Sequence, residues 1–184
     1  MQPFRHTGLV QLRTRNESDL DACTELIRLI HERDGWPPHW PEDLRRFITP
    51  PEELAAWVAE DGASLSGHIA LHSSGSVAMM EAACRATALL SSQLAVIARL
   101  FVAPSARRTG VGRALLATAA ADAHDRNCVP VLEVTPALES AVNLYESCGW
   151  TRVDQVQARF GDGSSLPVYV YVGPSPRPDG TTSS

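Results

Sequence analysis

The sequence predicts a single α/β domain, and three observations support this fold class. The chain has 184 residues, which suits one domain with a sizeable core. Apolar segments with the length of strands alternate with segments rich in helix-forming residues. Between residues 94 and 112, an apolar run, a basic bend and two glycines lead into a predicted helix. We expect one domain over residues 1–172, followed by a disordered tail at 173–184 that is rich in Pro, Gly, Ser and Thr.

The elements before the central apolar run follow from residue spacing and turn signals. Alternation favours strands, apolar spacings of three and four favour helices, and Asp61-Gly62 is typical of a hairpin turn. Five prolines between residues 34 and 51 exclude one continuous helix there. The predicted elements are a strand at 8–13, a helix from Asn16 or Ser18 to about His31, a short helix at 41–47, strands at 54–59 and 64–72, and a helix at 76–88.

The central run and the segments after it continue the alternation of strands and helices. Residues 94–102 predict a strand covered on both faces, and Pro104 ends it because proline lacks a backbone donor. A helix then extends to about Arg126. We expect one of its faces to be buried, namely Val111, Leu115, Ala119 and Ala123. The remaining predicted elements are a strand at 129–135, a helix at 137–148, and strands at 153–159 and 166–172 joined by a turn at 161–163.

The basic bend between the central strand and its helix has the properties of a phosphate site. Gly110 and Gly112 lack a Cβ, so their backbone N–H groups can approach an anion closely. The first turn of a helix presents unpaired donors and the positive end of its dipole. Arg107 and Arg108 add charged donors. The alternative is an ordinary strand-to-helix turn with solvated arginines, but the combination favours anion binding.

Two histidines in the strand predicted at 64–72 have several possible roles. His68 and His72 lie on one face and alternate with apolar residues. They could form a proton relay or bind a metal. We favour the simpler interpretation, in which both histidines face solvent.

Composition excludes several classes of function. The net charge of −5 argues against a nucleic-acid-binding protein. The four cysteines are widely spaced without a CxxC pair, which argues against a zinc site and predicts buried free thiols. No signal peptide and no membrane-spanning run are evident. We therefore expect a cytoplasmic monomer or homodimer that needs no metal and binds neither nucleic acid nor membrane.

Two sequence blocks resemble the GNAT superfamily of N-acetyltransferases. Arg107-Arg108-Thr109-Gly110-Val111-Gly112 matches the [Q/R]-x-x-G-x-[G/A] motif of that family. Leu132-Glu133-Val134, followed by Ala141-Val142-Asn143-Leu144-Tyr145-Glu146-Ser147-Cys148-Gly149-Trp150, is similar to its downstream LEV…AxxLYExxGF segment. The two blocks occur in the family's order and spacing, and with the elements around them they cover about residues 94–153.

The resemblance implies both a fold and a cosubstrate. The fold is a mixed, mostly antiparallel sheet of about seven strands flanked by helices, with splayed central strands. The cosubstrate is acetyl-coenzyme A. Backbone groups of Leu100, Phe101 and Val102 would pair with the pantetheine arm. The pyrophosphate would be held by the Arg107 side chain and by the amides from Arg108 to Arg113, which include Thr109, Gly110, Val111 and Gly112.

The second block supplies the candidate catalytic residues. A carboxylate at Glu133, within an apolar strand, either faces a cleft or is costly to desolvate. Glu133 and Tyr145 have the spacing of the general base and general acid in the ribosomal-protein alanine acetyltransferases, which the chain resembles here. The alternatives are a structural ion pair for Glu133 and a core position for Tyr145. The family often has Asn seven residues before this tyrosine, where this chain has Leu138, and Asn143 is out of register.

The acceptor is expected to be a primary amine attacked without a covalent enzyme intermediate. The Pro-rich segment lies where the family places its acceptor-bordering loop, so Asp34, Trp36 and Trp40 are candidate acceptor contacts; alternatively, its tryptophans anchor the loop. We expect a small-molecule acceptor first and a protein N-terminus or lysine second. A non-catalytic acyl-coenzyme A-binding domain is a further alternative. A dinucleotide-binding fold is weaker, because Leu115 occupies the third glycine position of GxGxxG.

Overall fold

The computed structural model describes residues 10–62, 64–159 and 163–175. The strands are β1 (Gln11–Thr14), β2 (Glu53–Asp61), β3 (Ser64–His72), β4 (Leu94–Val102), β5 (Val129–Val134), β6 (Thr151–Arg159) and β7 (Ser165–Val172). The α-helices are α1 (Leu20–Asp34), α2 (Leu44–Ile48), α3 (Val77–Thr87), α4 (Val111–Asp125) and α5 (Glu139–Ser147).

The seven strands form one mixed sheet in the order β1-β2-β3-β4-β5-β7-β6. β1 pairs antiparallel with β2, and β7 pairs antiparallel with both β5 and β6, whereas β4 and β5 are parallel. The predicted fold class, an α/β domain with a mixed sheet flanked by helices, is confirmed. The helix predicted at 76–88, which lies between two strands that are neighbours in the sheet, is α3.

Contacts group the chain into two compact units, each with its own core. The first contains the chain up to Ala70 together with Arg99–Leu116. Asn16 begins its first helical segment with a capping box, and Gly35 ends α1 in the left-handed conformation at φ 68°. One apolar face of α1 then packs with α2 and the strands, in a core formed by Leu20, Cys23, Leu26, Ile27, Ile30, Leu44, Ile48, Val58, Phe101 and Ala103.

The second unit contains Leu71–Ala98 and the chain from Ala117 onwards. Ser76 caps α3, because its side chain accepts from the Met79 N–H. The buried side of α3 packs on strand residues in a core formed by Met79, Ala82, Ala83, Leu94, Val96, Val131 and Val170. Glu81, on the opposite side of α3, is exposed.

The regular backbone geometry of the central strand β4 is interrupted within its length. Its parallel pairing with β5 runs from Leu94–Val129 to Val96–Val131 and, within these two fully described strands, ends there. Three residues later Arg99 has φ 54°, a left-handed conformation that is unusual for a non-glycine residue. The sequence run predicted one regular strand, and nothing in its apolar pattern indicated this interruption.

The structure corrects some expectations from the sequence and confirms others. His68 and His72 do not face solvent, because they are 0% and 3% exposed. All four cysteines are free as expected, but Cys23 alone is buried and the others are half-buried. The predicted stripe on α4 is confirmed, since Val111, Leu115, Ala119 and Ala123 are all buried. The start of the strand predicted at 8–13, most of the turn at 161–163 and most of the tail at 173–184 lie outside the described residues.

Candidate functional site

The turn predicted to bind an anion is exposed and is shaped by two left-handed residues. After β4 a short 3₁₀ turn spans Pro104–Ala106, and Arg108 and Gly110 follow with φ 62° and 96°. Helix α4 then begins at Val111, and its first intrahelical bond runs from the Ala114 N–H to the Gly110 carbonyl at 3.0 Å. The amides of the first helical turn therefore precede this bond and form the N-terminal end of the helix. The backbone geometry suits an anion.

Gly67 on β3 sets how closely the beginning of α4 approaches the sheet. A Cβ at this position would lie 2.9 Å from Leu115 Cδ1, 3.1 Å from Val111 Cγ1 and 3.2 Å from the Phe101 carbonyl oxygen. All three distances are shorter than ordinary van der Waals contacts, so a side chain at this position would have to displace Leu115 and Val111. The helix end that carries the candidate anion site is therefore positioned by a glycine that the sequence motifs did not include.

Two predicted site residues contact each other. The Arg107 guanidinium donates to the Asp34 carboxylate at the end of α1, and its Nε donates to the Val102 carbonyl at 3.4 Å. Arg107 was predicted to hold pyrophosphate and Asp34 to contact the acceptor. Both side chains are partly exposed, so the pair contributes little to folding. Because this ion pair is weak, an anionic ligand could displace Asp34 from Arg107.

The candidate pantetheine strand, residues 100–102, is anchored by its middle residue. Phe101 is 4% exposed and contacts Trp36 with ring centroids 6.0 Å apart. Trp36 also packs edge-on against Phe47 at 6.2 Å. Trp36 therefore anchors the loop through its contacts with Phe47 and Phe101. Trp40, in contrast, is 45% exposed and lies against the His31 ring at 4.5 Å.

Glu133 lies on β5 with its side chain half-buried between two buried neighbours, Leu132 and Val134. The Ser76 hydroxyl donates a 2.6 Å hydrogen bond to its Oε2. Ser76 also caps α3, so this helix brings a hydroxyl to the candidate base. Ser76 was not among the site residues predicted from the sequence. Its one signal was that serine is a preferred residue before a predicted helix, which gives no indication of Glu133 as a partner.

Tyr145 on α5 is buried among aromatic rings. It is 7% exposed, and its ring centroid lies 6.1 Å from that of Trp150 and 6.0 Å from that of Tyr171. Burial raises the pKa of the Tyr145 phenol above its ordinary value, and the neighbouring Tyr171 adds to this shift. The phenol therefore keeps its proton throughout the neutral range. The packing fits a core tyrosine, and the retained proton fits a general acid.

The helix that carries Tyr145 begins differently from the family pattern. Leu138 precedes α5 as its cap, with a half-buried side chain that has no polar group. Its carbonyl accepts from the N–H groups of Ala141 and Val142. Asn143 is exposed, one turn further along. The structure thus places an apolar side chain where the family often has an amide.

In the part of the chain that the structure describes, no three His, Cys, Asp or Glu residues are grouped as metal ligands would be. Among the same residues, no helix has the length and apolar character needed to cross a membrane.

Comparison with known proteins identifies the family. A model of the acetyltransferase (GNAT) family matches residues 20–150, well over half of the chain. The chain belongs to the GNAT family. The resemblance inferred from the two sequence blocks is confirmed, and membership makes the protein an acetyltransferase enzyme. No curated protein matches the sequence at a significant level.

Solved GNAT structures share the fold at low sequence identity. The ribosomal-protein-S18-alanine N-acetyltransferase from Escherichia coli is 17% identical, with 94% of this chain and 98% of that chain covered and a TM-score of 0.64. NAA60 from Arabidopsis thaliana, in complex with acetyl-CoA, is 21% identical, with 89% and 98% covered and a TM-score of 0.66. The acetyltransferase yncA from Salmonella typhimurium, with its cofactor acetyl-CoA, is 17% identical, with 89% and 92% covered and a TM-score of 0.62.

Proposed function

We propose that this GNAT protein transfers the acetyl group of acetyl-coenzyme A to a primary amine. The observation that carries the proposal is the turn before α4. There, two left-handed residues, Arg108 and Gly110, lead into an exposed helix N-terminus beside the Arg107 guanidinium. Backbone donors and one arginine in this arrangement suit the pyrophosphate of coenzyme A. Two solved GNAT structures that share the fold contain acetyl-CoA.

The coenzyme would occupy the residues named by the sequence motif. The amides from Arg108 to Arg113 and the Arg107 side chain would hold the pyrophosphate. The backbone of Leu100, Phe101 and Val102 would pair with the pantetheine arm. In this arrangement Arg107 leaves Asp34, whose carboxylate then becomes available to a cationic acceptor. Coenzyme binding would thus release a candidate acceptor residue.

The reaction needs two proton transfers. The amine nitrogen attacks the acetyl carbonyl carbon, and the C–S bond of the thioester breaks as the amide forms. Glu133 accepts the proton that the amine loses, and the Ser76 hydroxyl holds its carboxylate in place. Tyr145 donates its phenolic proton to the departing thiolate. No covalent enzyme intermediate is required, so the free cysteines take no part.

We propose a small-molecule amine as the acceptor. The segment after α1 carries Asp34 and the exposed Trp40 ring, which together could contact a compact cationic and apolar molecule. A peptide N-terminus is the second candidate. It is favoured by the fold shared with an enzyme named for acetylating the alanine of a ribosomal protein.

The test is an acetyl-coenzyme A-dependent thiol-release screen over amines, amino acids, polyamines, aminoglycosides and peptides. We expect turnover with one class of primary amine and none with its N-methylated quaternary analogue. The chain itself contains no lysine. Antibodies against acetyl-lysine therefore report acetylation of an added protein without a background from the enzyme. Turnover with peptides alone would replace the small-molecule proposal by the second candidate.

A further inference from the structure

The interruption of β4 at Arg99 needs a structural cause. A residue with a side chain adopts φ 54° only when its surroundings hold it there, because the left-handed conformation brings Cβ close to the backbone. Arg99 separates the part of β4 that precedes it from residues 100–102, which continue towards the anion-binding turn. The orientation of those three residues therefore depends on whatever fixes Arg99.

Contacts within the first unit hold both the backbone and the side chain of Arg99. Its carbonyl oxygen lies 2.9 Å from Nδ1 of His68. Its Nε donates to the Phe47 carbonyl at 2.8 Å, and its guanidinium lies 3.7 Å from the centroid of the Phe47 ring. The first contact acts on the backbone of the strained residue and the other two on its side chain. His68 therefore contacts the backbone of the strained residue, whereas Phe47 contacts its side chain.

The proton position on His68 follows from its second partner. Nη1 of Arg15 lies 3.1 Å from Nε2 of His68. Arginine has only donors, so Nε2 must accept and the ring proton must be on Nδ1. Arg15 is itself held by Glu53 through hydrogen bonds of 2.6 and 3.0 Å. This pair orients the fully buried imidazole so that Nδ1–H donates to the Arg99 carbonyl.

The same ring also contacts the strand beyond the interruption. The His68 and Phe101 rings are stacked, with centroids 4.8 Å apart and an interplanar angle of 14°. His68 thus holds β4 at two points, the Arg99 carbonyl and the Phe101 side chain. Both precede the turn that begins at Pro104.

We propose that His68 is a positioning residue for coenzyme binding. Its Nδ1–H fixes the Arg99 carbonyl and thereby orients the backbone of Leu100–Val102 for the pantetheine arm. This inference rests on the proposed function, because it takes those three residues as the pantetheine-binding strand. A merely structural histidine would affect stability and leave coenzyme affinity unchanged.

Two substitutions distinguish the roles of the two ring nitrogens of His68. In His68→Asn, the amide nitrogen is as many bonds from Cβ as Nδ1, so it keeps the donor to Arg99. In His68→Gln, the amide reaches as far as Nε2. Its oxygen can still accept from Arg15, but no donor remains for the Arg99 carbonyl. Both variants lose the stacking on Phe101 equally. They form a matched pair in which His68→Asn keeps the Arg99 contact alone and His68→Gln keeps the Arg15 contact alone.

The measurement is the KM for acetyl-coenzyme A and kcat, with a calorimetric Kd, at a temperature where both variants are folded. We expect His68→Gln to raise KM and Kd about tenfold, as loss of one buried hydrogen bond would. His68→Asn should stay within about threefold of the wild type, and kcat at saturation should change little in either variant. Equal effects in both variants, or none in either, would overturn the inference.

The controls keep the two proposals separable. Wild-type binding of acetyl-coenzyme A is measured first, and its absence would contradict the coenzyme site rather than the role of His68. Thermal melts of both variants report their stability. If His68→Gln does not fold, the folded His68→Asn variant can still contradict the proposal, because the proposal does not allow a tenfold rise of its Kd.

Discussion

The proposed anion-binding turn, residues 107–113, and the proposed catalytic pair, Glu133 and Tyr145, differ in what builds them. The turn consists of consecutive, mostly exposed residues from Arg107 to Arg113, and the donors proposed there are mainly backbone amides. Glu133 and Tyr145 are side chains in partly or fully buried surroundings. Their properties come from Ser76, which is 57 positions from Glu133 in sequence, and from Trp150 and Tyr171 around the phenol. A backbone site is therefore encoded locally, whereas a side-chain site depends on residues that only folding brings together.

The largest effect should come from the backbone site, through Gly112→Asp. A carboxylate in the first turn of α4 would repel the pyrophosphate and occupy its space. We expect acetyl-coenzyme A affinity to fall about 100-fold or more, equivalent to about 2.7 kcal/mol, with the fold retained. Calorimetry measures the Kd.

Ser105→Asp is the matched control for this prediction, because it adds the same charge at an exposed position of the preceding 3₁₀ turn. Its affinity should fall much less. Unchanged affinity in a folded Gly112→Asp variant would remove the turn from the coenzyme site.

The next effect concerns the carboxylate of the catalytic pair. Glu133→Gln keeps the shape and can still accept from the Ser76 hydroxyl, but it removes basicity. We expect kcat to fall about 100-fold while the KM for acetyl-coenzyme A changes little. Glu139→Gln, at an exposed position of α5, is the control. A wild-type kcat in Glu133→Gln at every pH would make Glu133 a structural residue.

The same contrast explains what the sequence could and could not predict. The order of elements followed from periodicity and turn signals, and the buried stripe of α4 from helical spacing, because these are local patterns. The environments of His68 and Glu133 could not be predicted. Alternation put His68 opposite its apolar neighbours, yet Arg15 and Phe101, distant in sequence, cover that face of β3. A single strand pattern has no information about which of its faces other elements will cover.

A smaller effect is expected at the phenol of the catalytic pair. A thiol has an ordinary pKa of about 8.5, so thiolate is a tolerable leaving group without an acid. The raised pKa of Tyr145 makes it a weaker acid than an exposed tyrosine. Tyr145→Phe should therefore lower kcat only about tenfold, with the Kd for acetyl-coenzyme A unchanged. Steady-state kinetics with any accepted amine measure this effect, and an unchanged kcat would assign Tyr145 to the core alone.

The smallest effect is on stability at alkaline pH, and it tests the buried surroundings of the pair without any substrate. Burial raises the pKa of Tyr145, and burial together with a hydrogen bond to Glu146 raises that of Tyr171 to about 12. An unfolded chain ionises its tyrosines near pH 10. Each raised pKa favours the protonated folded state, so its contribution is fully present below about pH 10 and is lost as pH rises through the folded value.

The composition makes this test selective. The chain has no lysine, so tyrosine and cysteine are the side chains that titrate between about pH 8 and 12. Denaturant unfolding at stepped pH should show a free energy of unfolding whose fall steepens above about pH 10, where the unfolded tyrosines ionise. Tyr145→Phe removes one titrating group but keeps the ring, so the slope of this fall should be shallower while the cysteines and Tyr171 act as before. An identical slope in the variant would mean that the pKa of the Tyr145 phenol is not raised in the folded protein. The argument for a modest catalytic effect of Tyr145 would then fail, because it rests on the weak acidity of this phenol.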